Sequence, residues 1–153
     1  MPELLINALA LILLQSTGAS LSNFTTDGCS SFPNGTMKAP SLWLQCCTEH
    51  DFDYWKGGSF QERLESDQRL QLCVAGKGEA AVAALMLAGV RVGGSPLVPT
   101  PFRWGYGWPY PRMYGPLSCE EHKLVRKLIP SIVREHHLTH VSADQNIRQD
   151  CAD

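Results

Sequence analysis

One stretch of the chain, residues 46–54, carries two adjacent cysteines, a histidine and two aspartates. It reads Cys46-Cys47-Thr48-Glu49-His50-Asp51-Phe52-Asp53-Tyr54. On an α-helix, residues three and four apart share one face, which here carries Cys46, His50 and Tyr54. Asp51 points about 100° away from His50 and so can face a neighbouring loop. One helix can therefore present a base and a carboxylate to adjacent parts of one pocket.

Signals for helix ends surround this stretch. We predict a helix from Pro40, which suits an early helical position, to Lys56, because the pair Gly57-Gly58 follows. Residues 59–62 then form a capping box, serine first and glutamate three residues later, which opens a second helix over Phe60–Ala75. A two-residue glycine hinge between helices of this length favours an antiparallel pair.

The second helix carries Asp67 and, six residues later, Cys73. If a disulfide joined Cys46 to Cys73, the antiparallel register would place Asp67 level with residues 50–54. A carboxylate there can accept a hydrogen bond from one ring nitrogen of His50, which fixes the tautomer and leaves the other nitrogen free to take a proton. These residues are therefore candidates for general-base catalysis.

A loop rich in Thr, Ser, Gly, Pro and Asn is predicted over residues 23–38. If Cys29 were bonded to Cys47, this loop would lie against the helix face that carries Asp51. Backbone carbonyls of the loop and the Asp51 carboxylate would then form the oxygen-rich site that Ca²⁺ prefers, and such a cation can polarise an ester carbonyl. Calcium is the expected cofactor.

The second half of the chain is different in character. We predict a short alanine-rich helix over Glu79–Ala88, and a capping box at residues 118–121 opens a helix to about His137 that Pro130 should kink or divide. Between them, residues 91–116 are rich in proline, glycine and aromatic side chains, which indicates an irregular loop or a short β-excursion.

The aromatic part of this loop, residues 102–114, has two open interpretations. Trp and Tyr are favoured at a membrane interface, where Arg103 and Arg112 would lie near headgroups. Alternatively, the loop packs as a cap over the core.

Length and charge exclude some classes of protein. The 153 residues, 44% of them hydrophobic, suit one compact domain, and a formal net charge of −2 does not indicate a nucleic-acid partner. Residues 4–14 are almost unbroken apolar sequence followed by small polar residues, so we predict a signal peptide at residues 1–19 and a secreted domain at residues 20–153. The usual positive charge before the apolar run is missing, and a buried N-terminal helix is the alternative.

All six cysteines lie beyond the apolar segment, which in a small exported chain indicates three disulfides. Two other interpretations are weaker. A zinc site at Cys46, Cys47 and His50 lacks a CxxC pair elsewhere. A Cys47–His50 protease dyad lacks a recognisable oxyanion segment. A helical His–Asp pair can also be purely structural.

The motif Cys-Cys-x-x-His-Asp, with Tyr54 three residues after the Asp, resembles the helix motif of the secreted phospholipases A2. The second helix of that family carries an Asp six residues before a Cys, as Asp67 and Cys73 do. The resemblance covers about residues 27–74. The stretches Asp27-Gly28-Cys29 and Pro40-Ser41-Leu42 look more like the atypical, short-loop secreted members than the pancreatic or venom enzymes.

The resemblance implies two antiparallel, disulfide-stapled helices with an N-terminal calcium loop. Together with the predicted aromatic loop and C-terminal helix, this is a mainly α-helical fold. The resemblance also implies the disulfides Cys29–Cys47 and Cys46–Cys73, and the pair Cys119–Cys151 then remains by elimination.

The resemblance further implies calcium-dependent hydrolysis of the sn-2 ester bond of phospholipids at a membrane interface. His50 would be the general base, Asp67 its orienting partner and Asp51 the calcium ligand. Tyr54 is expected to donate a hydrogen bond in the site, with a plain core aromatic as the alternative. The alternative function is a catalytically silent phospholipase A2-like module that binds lipid or protein.

The chain departs from the family in two places. The family has a further disulfide between the two helices, and Asp53 and Ser66 stand at its two positions here. Both halves are replaced together, which supports the alignment, and a hydrogen bond can replace the bridge. The glycine-dense calcium loop of the usual members is replaced by residues 30–35, so individual carbonyl ligands are not assigned.

Overall fold

The computed structural model describes residues 19–137. Of the predicted signal peptide only Ala19 falls in this range, and Cys151 lies outside it. The described residues form four helices and no strand. The helices are α1 (Leu44–Lys56), α2 (Phe60–Gly76), α3 (Ala80–Gly93) and α4 (Cys119–His136). The predicted mainly α-helical class is therefore confirmed.

Helices α1 and α2 lie antiparallel. A disulfide joins Cys46, near the start of α1, to Cys73, near the end of α2, with 5.8 Å between their Cα atoms. Further along α1 and further back along α2, the Ser66 hydroxyl donates a hydrogen bond of 2.8 Å to Asp53. The second pair lies seven residues further along α1 and seven residues further back along α2, as a single antiparallel register requires. The glycine hinge at residues 57–58 has positive φ at both positions.

Helix α1 begins at Leu44, four residues after the predicted start at Pro40. The backbone of Trp43 does not continue a helix backwards, because its N–H donates to the carbonyl of Asn34 and its indole N–H donates to the carbonyl of Pro33. The loop before α1 thus takes the donors that an extra helical turn would have left unpaired at its N-terminus. Residues 40–43 form a turn instead.

Helix α3 runs to Gly93, five residues past its predicted end at Ala88. Gly89 weakens a helix in isolation, but here it lies against the Phe32 ring, where a Cβ atom would approach to 3.2 Å. The buried face of α3 packs its Met86 side chain on Leu70 and Val74 of α2. Tertiary packing therefore extends the helix beyond its local signal.

The centre of the aromatic loop packs on the C-terminal end of α1. At its centre, the loop is therefore a cap over the core, as in the second of the two interpretations. Trp104 and Trp108 are almost fully buried. The amide of Gly105 donates to the carbonyl of Tyr54 at 2.6 Å, and the Trp108 indole donates to the carbonyl of Lys56 at 2.7 Å. The last carbonyls of a helix have no partner within the helix, and this loop supplies one.

The two arginines of this loop have partners within the protein. Arg103 is 5% exposed and donates to the carbonyls of Gly105 and Trp108. Arg112 pairs with Glu121 of α4 at 2.5 Å. Both guanidinium groups are used to hold the loop in shape.

Helix α4 belongs to a second hydrophobic cluster, separate from the one that contains Met86 of α3. Its buried residues Val125 and Ile132 contact the cluster around Phe52 and Trp55. The predicted capping boxes at the starts of α2 and α4 are both present. Helix α4 continues through Pro130 without being divided, contrary to one of the two predicted outcomes.

Among residues 19–137, no helix has both the length and the apolar composition needed to span a bilayer.

Candidate active site

A cavity of about 300 Å³ opens between α1, α3 and the loop before α1. His50 and Asp51, which are consecutive residues of α1, both line its wall. The rest of the wall is largely apolar and includes side chains from α2, α3 and both loops: Phe32, Leu70, Met86, Val90 and Phe102. The cavity thus combines two chemically active groups with a surface suited to a hydrocarbon chain.

His50 and Asp67 are in direct contact across α1 and α2. The Nε2 atom of His50 lies 2.9 Å from Oδ1 of Asp67, with 7% and 0% of the two side chains exposed. A carboxylate accepts but does not donate, so Nε2 carries the proton and Nδ1 is the basic nitrogen. With Nε2 bonded to Asp67, Nδ1 is the ring nitrogen left to accept a proton, and the His50 side chain lines the cavity.

Tyr54 is part of the same hydrogen-bond network. Its hydroxyl donates to the Oδ1 atom of Asp67 at 2.7 Å, and its ring centroid lies 4.3 Å from that of His50. Burial, together with the negative charge of Asp67, raises the pKa of Tyr54 above its ordinary value, so the hydroxyl stays protonated and remains a donor. A Cβ atom at Gly94 would lie only 2.5 Å from this hydroxyl. A larger residue there would have to displace the Tyr54 side chain.

Two arginines that the sequence analysis did not identify face the other oxygen of Asp67. The Nε atom of Arg91 lies 2.9 Å from Oδ2, as an ion pair whose N–H is not aligned for a hydrogen bond. Arg63 is 3.9 Å from the same oxygen. Arg63 stands four residues before Asp67 on α2, a spacing that could have indicated it. Arg91 lies on α3, and nothing in its local sequence indicates the contact.

Asp51 faces the loop before α1. Its Oδ2 atom accepts a hydrogen bond of 2.6 Å from the Thr26 hydroxyl. Burial raises the pKa of Asp51 to about 7 from the ordinary 3.8, and the charge of Asp27 adds to the rise, while the Thr26 hydrogen bond opposes it. In the folded protein, ionisation of Asp51 is therefore unfavourable, because the carboxylate is largely buried and lies near Asp27.

The loop is held in place by a disulfide and by side-chain hydrogen bonds. Cys29 is bonded to Cys47 with a Cα–Cα distance of 5.1 Å, as the resemblance implies. The Asn34 side chain accepts from the amide of Cys29 at 2.9 Å, and Gly28 has a φ of 73°. A Cβ atom on Gly28 would lie 2.5 Å from Asn34 Oδ1. Only glycine permits both the backbone conformation and this close approach.

The chemistry of this region fits a hard cation. The possible metal ligands near Asp51 are oxygen atoms, which Ca²⁺ prefers. A bound cation would also offset the free-energy cost of the partly buried Asp51 carboxylate. Asp51 would hold the ion, with further oxygens from the loop segment at residues 26–30. Thr26 is already tied to Asp51, and its own oxygen accepts from the amide of Gly28 at 3.0 Å.

Asp53 and Ser66, the two positions at which the resemblance lacks a disulfide, are in contact with each other. The Ser66 hydroxyl donates to Asp53, and both side chains are buried. Arg69 also contacts Asp53 at 2.8 Å. A polar contact thus joins α1 and α2 at this level.

The structure brings together the four residues predicted for catalysis and for calcium. His50, Tyr54 and Asp67 form one hydrogen-bonded group, and Asp51 lies on the same cavity wall. The implied disulfides Cys29–Cys47 and Cys46–Cys73 are both present. Cys119 is disulfide-bonded, while Cys151, the partner predicted for it, lies outside the described residues.

The chain matches no protein-family model, no curated protein and no solved structure. Its function is therefore inferred from the residues and their geometry.

Proposed function

We propose that the protein is a calcium-dependent lipid hydrolase of the secreted phospholipase A2 type, acting on the sn-2 ester bond of phospholipids. The observation that carries the proposal is the buried His50–Asp67 pair in the wall of an apolar cavity, beside the Asp51 carboxylate. The cavity offers an acyl chain an apolar wall, and the pair offers a base at the same place. The resemblance over residues 27–74 supports the same function.

The hydrolysis begins with the transfer of a proton from water to Nδ1 of His50. The hydroxide so formed attacks the carbonyl carbon of the ester, and the C–O bond to the glycerol breaks as the tetrahedral intermediate collapses. The leaving alkoxide takes the proton back from His50, so the products are a fatty acid and a lysophospholipid. Asp67 stabilises the imidazolium formed on the way and keeps the ring in one orientation. No acyl-enzyme forms.

Asp51 and oxygens of residues 26–30 are the groups that would hold calcium. A bound calcium ion supplies positive charge for the phosphate of the lipid and for the oxyanion of the ester. The roles of the chain itself are to hold this site next to His50 and to line the acyl-chain cavity. Secretion and action at a membrane interface belong to the same proposal.

The test is release of fatty acid from phospholipid vesicles by the purified protein, with calcium and with a chelator. We expect release only with calcium, and His50→Gln should lower the rate by about 10²–10⁴-fold while leaving the circular dichroism spectrum unchanged. His137→Gln, at an exposed residue outside the site, is the matched control and should behave as the wild type.

Near-normal hydrolysis by folded His50→Gln would remove His50 from the mechanism. If the wild type binds vesicles or calcium but releases no fatty acid, the catalytically silent binding module becomes the better description. A positional assay with lipids labelled at either acyl chain separates sn-2 cleavage from other lipase activity.

A further inference from the structure

We propose that Arg91 is a positioning residue for the His50–Asp67 pair: it holds the second carboxylate oxygen of Asp67, so that the first is presented to His50. This inference rests on the proposed function only for its effect on turnover, since the effect on the histidine ring is independent of any substrate.

The carboxylate of Asp67 is used asymmetrically. Its Oδ1 atom receives two donors, the ring N–H of His50 and the hydroxyl of Tyr54. Its Oδ2 atom is buried and receives no aligned hydrogen bond among the described residues. A fully buried carboxylate needs a nearby positive charge, and of the two described arginines beside Oδ2, Arg91 is the nearer, with its Nε atom at 2.9 Å.

Arg63 has a different task. It is buried, and its guanidinium donates to the carbonyls of Val90 and Arg91 and to the hydroxyls of Tyr54 and Tyr114. Its Nε lies 3.9 Å from Oδ2 of Asp67, a full ångström further than that of Arg91. Arg63 thus binds the end of α3 to α2 and leaves the direct contact with the carboxylate to Arg91.

Arg91 is itself anchored from both sides. Its backbone carbonyl accepts from Arg63, and its terminal nitrogen donates to the carbonyl of Leu64 on α2 at 2.9 Å. The side chain is 36% exposed, so it reaches from the surface to the buried carboxylate. These anchors fix the distance between its charge and Oδ2.

The consequence concerns the tautomer of His50. While Oδ2 is held by Arg91, Asp67 cannot turn, and Oδ1 continues to accept the Nε2 proton of the ring. Without that charge, the carboxylate is held at Oδ1 alone, by His50 and Tyr54, and its preference for one tautomer of the ring is weakened. A neutral ring whose proton moves to Nδ1 cannot accept a proton at the cavity side.

The experiment compares three variants with the wild type by ¹⁵N–¹H spectra of the histidine rings and by steady-state hydrolysis of phospholipid vesicles. Arg91→Gln removes the charge but keeps a donor for the carbonyl of Leu64. Arg91→Lys keeps the charge. Arg69→Gln is the matched control, because Arg69 contacts a carboxylate of the same helix pair, Asp53, and not Asp67.

We expect a single Nε2-protonated ring for His50 in the wild type, Arg91→Lys and Arg69→Gln, and a mixture of tautomers in Arg91→Gln. The signal is assigned by its loss in His50→Gln. In parallel, kcat should fall on the order of 10-fold in Arg91→Gln with KM changed by less than about twofold, as loss of orientation predicts.

A single Nε2-protonated ring with unchanged kcat in Arg91→Gln overturns the proposal. If Arg91→Gln does not fold, Arg91→Lys decides, since a mixed tautomer in that variant also overturns it. If the wild type hydrolyses no lipid, the proposed function fails, whereas the ring spectra still decide the role of Arg91.

Discussion

Replacing Asp51 with asparagine tests two effects on the stability of the fold: the destabilising charge of the Asp51 carboxylate and the stabilisation expected from bound calcium. The pKa of Asp51 is raised to about 7, mainly by burial, so the folded protein holds the proton of this carboxyl more tightly than the unfolded chain does. A group with a raised carboxyl pKa lowers stability as pH increases, here between about pH 4 and pH 7. Above that range, the calcium-free protein carries the full cost.

The size of this cost follows from the same pKa difference. The change from 3.8 to about 7 corresponds to at most about 4 kcal/mol. Because Asp51 is only half-buried by its exposed area, solvent screens the charge and we expect about 1–2 kcal/mol. Without calcium at about pH 8, Asp51→Asn should therefore raise the melting temperature by roughly 3–8 °C. At about pH 4, where the carboxyl is protonated, the two proteins should melt together.

Thermal unfolding followed by circular dichroism measures both effects, with a chelator and with millimolar calcium. Calcium should raise the melting temperature of the wild type at about pH 8 and should have no effect on Asp51→Asn, because the charged ligand is gone. Glu65→Gln, which neutralises an exposed carboxylate on α2, is the matched control and should keep the calcium response.

Two outcomes would refute this reasoning. If Asp51→Asn is no more stable than the wild type in the chelator at about pH 8, the carboxylate is not a buried, costly charge. If the variant keeps the full calcium response, the ion binds elsewhere, and the proposed site at Asp51 and residues 26–30 is wrong.

Two further predictions concern the packing that supports the site. Changing Asp53 and Ser66 together to cysteine should produce a disulfide that stabilises the oxidised form over the reduced form by about 2–4 kcal/mol, less the lost hydrogen bond, in urea unfolding. Failure of this folded variant to oxidise would show that α1 and α2 are not in the observed register. Gly94→Ala should displace the Tyr54 hydroxyl and lower stability by about 1–3 kcal/mol. Gly93→Ala, whose Cβ would meet only a ring carbon at 3.9 Å, should be tolerated, and equal stability of the two variants contradicts the prediction.

The register of the two central helices was predicted from the Cys46–Cys73 disulfide that the resemblance implies. The Cys46–Cys73 disulfide sets this register, which places Asp67 level with residues 50–54 of α1 and within reach of His50. The capping box that opens α2 is local, since Ser59 bonds a residue three positions away. Such signals depend on the period of a helix and can be found without a structure.

The boundaries of α1 and α3 could not be predicted in the same way. The start of α1 depends on donors that Trp43 gives to a loop ten residues earlier, and the end of α3 depends on a surface offered by Phe32. Helix propensity is a weak preference that such contacts override. Pro130 was predicted to kink or divide the last helix. It does not divide the helix, which continues through it.

Spacing along the chain was enough to predict which residues share a helix face, and the short glycine hinge was enough to predict an antiparallel helix pair. His50 and Tyr54 could therefore be placed on one face in advance, and Asp67 beside them once the resemblance implied the Cys46–Cys73 disulfide. Only the tertiary structure decided that Arg91 neutralises Asp67 and that the aromatic loop caps α1. These contacts join segments far apart in sequence. Their distances depend on how whole elements pack, and no local spacing encodes that packing.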